Sequence, residues 1–430
     1  MPISKDQARE VLHRLTRFGP LAGLSQRLRP VLPDERPLPD DVPRPSDGSA
    51  AARAERIAAI EAYGIEVPYL AGRAAPIEPE ALRGSIENFI GMAQVPVGLI
   101  GPLRVNGLHA HGDYYVPLAT SEAALVASFH RGARIASHAG GIAALVTTEQ
   151  VQRAPGFVFA TIAEAASFAA WAMGRFERMG EVAAGRSSHA RLTDLLAHLE
   201  ANVVYLILAF HTGDAAGQNM VTFCTEAICE ELVATTPVAP RSWFVEANMS
   251  GDKKATVLGF LTTRGRHATA EVTLPRRLVE RALHTTPERM AEYWRLSFVG
   301  GAQSGSIGVS GHLANGLAAL FLACGQDVAC VSEASVGVSR IELDPAGDLH
   351  CSVTLPSLIV GTVGGGTKLP TARECLRILR CEGSAEGKSL AAKFAEICAA
   401  VALAGEISIV GSICAGDFAR AHERLSRPPR

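Results

Sequence analysis

Between Ser250 and Val257 the chain reads SGDKKATV, an acid and two adjacent lysines set between a Ser-Gly pair and an apolar run. Two neighbouring ammonium groups on a loop are ordinarily solvated. Their place directly before an apolar run raises the question of what they hold. Other groups able to work beside such a cation are scattered along the chain. Glu122 stands in TSEAALVAS, where the pattern predicts a helix beginning at Thr120 with Glu122 in its first turn. A carboxylate there is ordinarily a helix cap that offsets the dipole. Ser128 and Arg131 follow at i, i+3 on one helical face, so they could meet a phosphate together. In GHLANGLAALFLACGQD, His312 and Asn315 share a face, and Asp327 falls just past the helix end after Gly325. The dipole at that end disfavours negative charge, so Asp327 calls for a cation partner. His422, in the basic segment GDFARAHERLSR, is an imidazole able to trade a proton near neutral pH. Taken singly it is a residue of a solvated tail.

Two glycine-bearing turns run from a strand into a helix. TGDAAGQNM (212–220) offers Asp214 and Asn219 as polar handles, and GTVGGGTKLP (361–370) carries Gly364, Gly365 and Gly366. Glycines at such turns let backbone N–H groups approach a phosphate, and the helix start adds partial positive charge. Neither string is GxGxxG or a Gly-Lys-Ser/Thr loop, so each alone reads equally as a tight turn or a cap.

The elements that must position these groups can be read coarsely. Residues 1–28 read as a helix, and 29–49, dense in proline and acid, as an extended, poorly structured linker. A helix stopped by Gly64 follows. From Gly156 to Phe244, strand, helix, strand and helix alternate: FVFATI a strand, TIAEAASFAAWAMGRFERMG a helix, RLTDLLAHLEANVVYLILAF a helix running into a strand, and NMVTFCTEAICEEL a helix. That run suggests a small α+β domain inserted between larger pieces. TVLGFLTTRG and HATAEVTLP read as strands and RIELDPAGDLHCSVTLPSLIVG as a hairpin. FAEICAAVALAGEISIVGSICAG is interrupted by Glu396 and Glu406, which argues for a buried helix and not a membrane span. The formal net charge of −2 gives no electrostatic case for nucleic acid or an anionic membrane. The nine cysteines lack CxxC spacing, so no metal site is expected, and reduced thiols in a cytoplasmic protein fit best.

Each signal is weak alone, but together and in order they resemble the hydroxymethylglutaryl-CoA reductase family. ENFIGMAQVPVGLIGPL is similar to the family's ENVIG–PVG–GPL segment and ATSEAALVAS to its glutamate helix. TGDAAGQNM resembles DAMGMNM, SGDKKA resembles TDKKP, ACGQD matches the aspartate motif, and GTVGGGTKLP is nearly the family string itself. LAGEISIVGSICAGDFARAH resembles the terminal histidine segment.

The resemblance implies an α+β fold: a large mixed domain (87–155 and 245–430) with a central helix and surrounding sheets, plus an inserted small ferredoxin-like α+β domain (156–244) for the nicotinamide cofactor. Residues 1–86 would be an N-terminal arm with its linker. It implies reduction of an acyl-CoA thioester by two hydride transfers, releasing CoA, with NADPH as cofactor and NADH as the alternative. Lys253 would stabilise the oxyanion, and Glu122 would supply a proton to the carbonyl oxygen, which requires burial to keep it protonated. Asp327 would bridge these two, and His422 would protonate the departing thiolate. Arg153, Asp252, Lys254, Arg295 and Asn315 would hold the acid end of the substrate, while Ser128, Arg131 and His312 would face CoA. Asp214, Asn219, Gly364, Gly365, Gly366 and Arg427 would face the nicotinamide cofactor. The site would lie between two subunits of a homodimer or higher homo-oligomer, in a soluble, bacterial-type member without a membrane anchor.

The chain departs from the family pattern at four positions. Arg295 replaces a lysine. Glu246 stands where a serine is expected, so like-charge repulsion would weaken a dicarboxylic substrate and open the way to a different acyl-CoA. Ser188 falls where some members place a cofactor-binding arginine, with Arg427 as partial compensation. Asp417 replaces a histidine, with no consequence that follows from chemistry. A catalytically silent CoA- or nucleotide-binding homologue is the remaining alternative.

Overall fold

One buried guanidinium ties the amino-terminal arm to the body of the molecule. The computed structural model describes residues 5–417. α1 (Lys5–Thr16) and α2 (Leu24–Leu28) replace the single helix expected there. Gly19, at φ +124°, and Pro20 interrupt it, because proline cannot donate into a helical ladder. Residues 29–49 carry neither helix nor strand, as their composition predicts, but they are not loose. Fully buried Arg104 donates to the carbonyls of Val31, Arg36 and Pro37 at 2.8, 2.7 and 3.1 Å, and its Nε pairs with Asp113 at 2.7 Å. α3 (Ala50–Glu61) follows, with the Ser49 hydroxyl accepting from the Ala52 N–H as its cap.

β1 (Val97–Gly107) and β2 (His111–Ala119) form an antiparallel pair, and β1 runs parallel to β3 (Ile142–Arg153) across α4 (Leu125–His138). Next come β4 (Gly156–Val158), α5 (Ile162–Met173), α6 (Phe176–Arg186), β5 (Arg191–Glu200), β6 (Val203–His211), α7 (Gln218–Thr235) and β7 (Ser242–Phe244). Their strands pair antiparallel in the order β7-β4-β6-β5. β6 also meets the end of β3, through Val151 to Arg153.

Two sequence expectations fail in this run. The leucine-rich stretch 191–210 is not a helix feeding a strand but the hairpin β5–β6, whose turn Ala201 makes at φ +48°. Cross-strand pairing overrides the helical preference of leucine here. The single helix expected over 161–180 is two, broken at Gly174.

α8 (Leu258–Leu261), a short helix where a strand is expected, leads into β8 (Gly265–Leu274), α9 (Arg276–Leu283), α10 (Pro287–Ser304), α11 (Leu313–Ala323) and α12 (Val331–Ala334). β9 (Val338–Leu343) and β10 (Leu349–Leu358) form the expected hairpin, and β10 pairs with β8, which pairs with β3. α13 (Pro370–Ile378) and α14 (Leu390–Cys414) complete the described chain.

α14 is the fold's central helix, packed by α4, α11, β3, β8 and β10. It is the one helix among the described residues long and apolar enough to cross a membrane, and 89% of its apolar window is enclosed within the protein. Burial of each of its Phe394, Ile397, Leu403 and Ile407 side chains contributes about 1.5–3 kcal/mol. Its two glutamates are buried as well. Glu396 accepts from the His109 and Ala110 N–H groups at 2.8 and 2.6 Å, and burial pushes its carboxyl up to about 8 despite those bonds. All nine cysteines are free and buried.

Candidate active site

The lysine pair lies on the turn that precedes α8. Lys253 adopts φ +55° and Gly251 φ +72°. A left-handed lysine costs on the order of 1 kcal/mol and persists only where its surroundings fix it. Asp252, the residue before it, supplies that fixation. Its Oδ2 accepts from Arg153 Nη1 at 2.5 Å, and its Oδ1 lies 2.9 Å from Arg264 Nη2. Arg153 is the last residue of β3, and Arg264 directly precedes β8, so two sheet strands aim their terminal cations at one carboxylate. Arg264, itself buried, also donates to buried Glu333 at 2.6 Å. Burial raises the Asp252 carboxyl, but Arg264 and then Arg153 outweigh it and hold the group below its ordinary value.

Glu246 does not stand as an unopposed charge toward a substrate. Arg153 Nη1 faces its Oε2 at 3.5 Å, the Ser250 hydroxyl donates to it at 3.0 Å, and the Asn248 N–H donates to its other oxygen at 2.8 Å. Its charge is therefore faced by Arg153 at the end of β3 and by two donors of its own loop.

Asp327 has the cation partner that its position demands. Lys253 Nζ lies 3.0 Å from its Oδ2, while its Oδ1 accepts from the Ala329 N–H at 3.1 Å. The hydrogen bond to Asp327 raises the Lys253 ammonium, against some opposition from burial. Burial alone would raise Asp327, but Lys253 prevails and lowers it. Both groups are thus held charged. Gln218 Nε2 also approaches Asp327 Oδ2, at 3.3 Å.

Glu122 lies elsewhere. α4 begins at Leu125 and not at Thr120, because Ala124 takes φ +68° and forces a turn first. Glu122 sits in that turn, exposed, with its N–H donated to the Thr120 hydroxyl at 3.0 Å. Asn315 Nδ2 donates to its two oxygens at 3.4 and 3.2 Å. Asn315 is near the start of α11, whereas Asp327 follows that helix's end. From Asn315 to Ala323 alone the axis runs about 12 Å. Within one chain, the Glu122–Asn315 pair and the Lys253–Asp327 pair are therefore at opposite ends of α11.

Ser128, Arg131 and His312 do converge, against the central helix. The Ser128 hydroxyl is 3.0 Å from that of Ser408, and Arg131 Nη2 donates to the Ser408 carbonyl at 2.7 Å. Glu406 accepts from the Gly311 and His312 N–H groups at 2.7 and 2.8 Å, closing the start of α11 with a buried carboxylate. The His312 ring rests 4.9 Å from that of Phe129.

The two glycine turns are also brought together. The Thr362 N–H donates to the Asp214 carbonyl at 2.8 Å, and Ala215 bridges Val363 in parallel. A Cβ on Gly366 would lie 2.6 Å from the Gly325 carbonyl oxygen, in the turn leading to Asp327, so only glycine fits there. Gly364 and Gly365, at φ +79° and +55°, face open space. The Asp214 side chain is turned inward, accepting from the Ala391 N–H at 2.9 Å at the start of α14; Asn219 is exposed. Lys254 and Arg295 are exposed, with Arg295 on α10, and Ser188 lies exposed after α6. His422 and Arg427 lie outside the described residues.

Sequence reasoning missed Arg264, Glu333, Gln218, Glu406 and Ser408. Of these, Glu406 shows in the sequence only as a charge interrupting an apolar run, and Gln218 only as a polar residue within the TGDAAGQNM turn.

A family model for hydroxymethylglutaryl-coenzyme A reductase matches residues 52–427. The 3-hydroxy-3-methylglutaryl-coenzyme A reductase of Pyrococcus abyssi is 42% identical over 356 residues, 82% of this chain and 87% of that protein. The protein of the same name from Haloferax volcanii is 40% identical over 384 residues, 89% of this chain and 94% of its own length. Among solved structures, a class II 3-hydroxy-3-methylglutaryl-CoA reductase from Streptococcus pneumoniae, bound to NADPH in open conformations, superposes with a TM-score of 0.68 at 19% identity. The match covers 84% of this chain and 96% of that one, and it shows the shared fold.

Proposed function

Because the chain belongs to the hydroxymethylglutaryl-coenzyme A reductase family, we propose that it reduces hydroxymethylglutaryl-CoA to mevalonate and CoA with NADPH. The observation that carries this reading is the Lys253–Asp327 pair at 3.0 Å, held on a left-handed turn by an aspartate locked between two arginines. A cation fixed before the substrate arrives needs no reorganisation as the thioester oxygen becomes anionic, and that is the electrostatic term that lowers the barrier most.

The glycine turns fit a nicotinamide dinucleotide: Gly364 and Gly365 open their backbone to solvent, beside the Asp214–Gly217 turn and the start of α7. The cofactor supplies hydride. Residues 156–244 are the cofactor-binding domain in this reading, with 87–155 and 245–430 forming the catalytic domain. Lys253 holds the oxyanion, Asp327 keeps Lys253 charged, and Lys254 with Arg153 holds the free carboxylate of the substrate. Ser128, Arg131 and His312 take CoA, and His422 protonates its thiolate.

Glu122 must reach the carbonyl oxygen from a second subunit. The length of α11 keeps it from Lys253 within one chain, and its exposed carboxylate requires a cover to work as an acid. A homodimer placing Glu122–Asn315 of one copy opposite Lys253–Asp327 of the other meets both needs. The compensated charge on Glu246 leaves the dicarboxylic substrate acceptable. Free, buried thiols suit a cytoplasmic setting.

The test is stoichiometric. Purified protein supplied with hydroxymethylglutaryl-CoA should oxidise two NADPH for each CoA thiol released, since thioester-to-alcohol reduction consumes four electrons. One NADPH per thiol would mean an aldehyde-forming enzyme, and none would mean a silent homologue; either result overturns the proposal.

A further inference from the structure

Gln218 opens α7 directly after Gly217, yet its side chain points away from the glycine turn toward the charged pair. Its Nε2 donates to Asp327 Oδ2 and to Cys330 Sγ, each at 3.3 Å, and its Oε1 faces Arg264 Nη2 at 3.5 Å. The amide fits only this way round, because nitrogen must meet the carboxylate and oxygen the guanidinium. Its backbone carbonyl also accepts from Thr222 Oγ1 at 2.9 Å and faces Arg153 Nη2 at 3.5 Å. One residue thus touches Asp327 and both of the arginines that lock Asp252. In the family string DAMGMNM this position is a methionine, whose thioether can donate nothing.

We propose that Gln218 is a positioning residue that holds the Asp327 carboxylate in register with Lys253 and ties it to the Arg264–Asp252–Arg153 lock. The inference rests on the thioester-reductase reading given above. Among the described residues, Asp327 Oδ2 is shared by two side-chain donors, Lys253 and Gln218, while Oδ1 is occupied by the Ala329 N–H. The other charged or titratable groups facing this cluster are Cys330, Arg264, Asp252 and Glu333. Losing the amide donor removes a hydrogen bond that favours ionised Asp327, so the carboxyl becomes easier to protonate and Lys253 loses its fixed partner at a higher pH.

The experiment uses the full-length protein and Gln218→Met, which keeps the side-chain volume and removes both hydrogen bonds. Turnover of hydroxymethylglutaryl-CoA should fall about three- to tenfold with KM for that substrate within about twofold. The acid limb of the kcat–pH profile should move up by about half a pH unit. Gln218→Glu, which sets a second carboxylate against Asp327, should move the same limb further up. An unmoved acid limb in both variants overturns the inference, as does a fall in turnover equal at every pH and accompanied by lowered thermal stability, which would mark a merely structural residue. Wild-type protein that fails to release CoA at all would instead overturn the thioester-reductase reading and the inference with it, and that outcome is seen before any variant is compared.

Discussion

Asp252 is the point where the architecture can be loaded most directly. Its side chain is 19% exposed, and it faces Arg153 and Arg264, which are 10% and 2% exposed, at 2.5 and 2.9 Å. Removing one partner of a buried ion pair costs roughly 3–5 kcal/mol. Here Glu333 still holds Arg264 at 2.6 Å and Glu246 still faces Arg153 at 3.5 Å, so the expected cost of Asp252→Asn falls to about 2–3 kcal/mol. Arg153→Met should cost a similar amount, because Asp252 keeps Arg264. If the groups act as one lock, the double variant should lose about 1.5–2 kcal/mol less than the sum of the single losses. Urea unfolding of the four proteins at pH 7 measures this. The pH dependence has a definite sign: the folded Asp252 carboxyl lies below its ordinary value, so its stabilisation is present above that value, near 3.9, and is lost as pH falls through the folded one. The coupling should therefore shrink in strong acid. Turnover of Asp252→Asn should drop in kcat more than in substrate KM, because the turn that fixes Lys253 at φ +55° has lost its anchor. Additivity within about 0.5 kcal/mol at pH 7 would refute the lock.

Lys253→Ala should lower kcat by at least about a hundredfold while cofactor affinity stays within a few-fold, as read by single-turnover kinetics and NADPH titration; activity within tenfold of wild type would remove Lys253 from its role. Glu122→Ala and Lys253→Ala should each be inactive alone but, co-expressed in equal amounts, recover about a quarter of wild-type activity, because random pairing leaves one intact site in half the dimers; no recovery would place both residues in the same chain's site. Glu396→Gln should flatten the pH dependence of stability. The Glu396 carboxyl is raised to about 8 from its ordinary 4.5, so its contribution is complete below 4.5 and is lost as pH rises through 8. The wild type should weaken by a few kcal/mol across that window relative to the variant; parallel melting curves at pH 5 and pH 9 would contradict it.

The spaced strings stand out through their resemblance to the family's own, and ACGQD and GTVGGGTKLP lie where α11 and β10 end. SGDKKA, ACGQD and GTVGGGTKLP were legible for that reason, and Asp327 announced its need for a cation by sitting at a helix C-terminus. Local conformations were not legible where a non-glycine residue takes positive φ. Ala124 at +68° displaces Glu122 from a helix into a turn, and Ala201 at +48° converts a leucine-rich run into a hairpin; neither alanine marks itself in the sequence.

The residues that hold the site in place were the least legible, and the reason is geometric. Arg264 precedes β8, Gln218 begins α7, and Arg153, which only the family resemblance picks out, ends β3, so hydrophobic periodicity has stopped at each and says nothing of where the side chain points. Their partners come from distant parts of the chain: Arg153 meets Asp252, and Arg264 meets Glu333. Nothing local distinguishes such an arginine from a solvated one until the sheet closes. Once β3 and β8 pair in register, their ends are fixed side by side and the two guanidinium groups must share whatever carboxylate lies above them. The turn that carries Lys253 is therefore set by the register of the sheet beneath it, and a change that shifted β8 against β3 would displace Lys253 without altering a single residue of SGDKKATV.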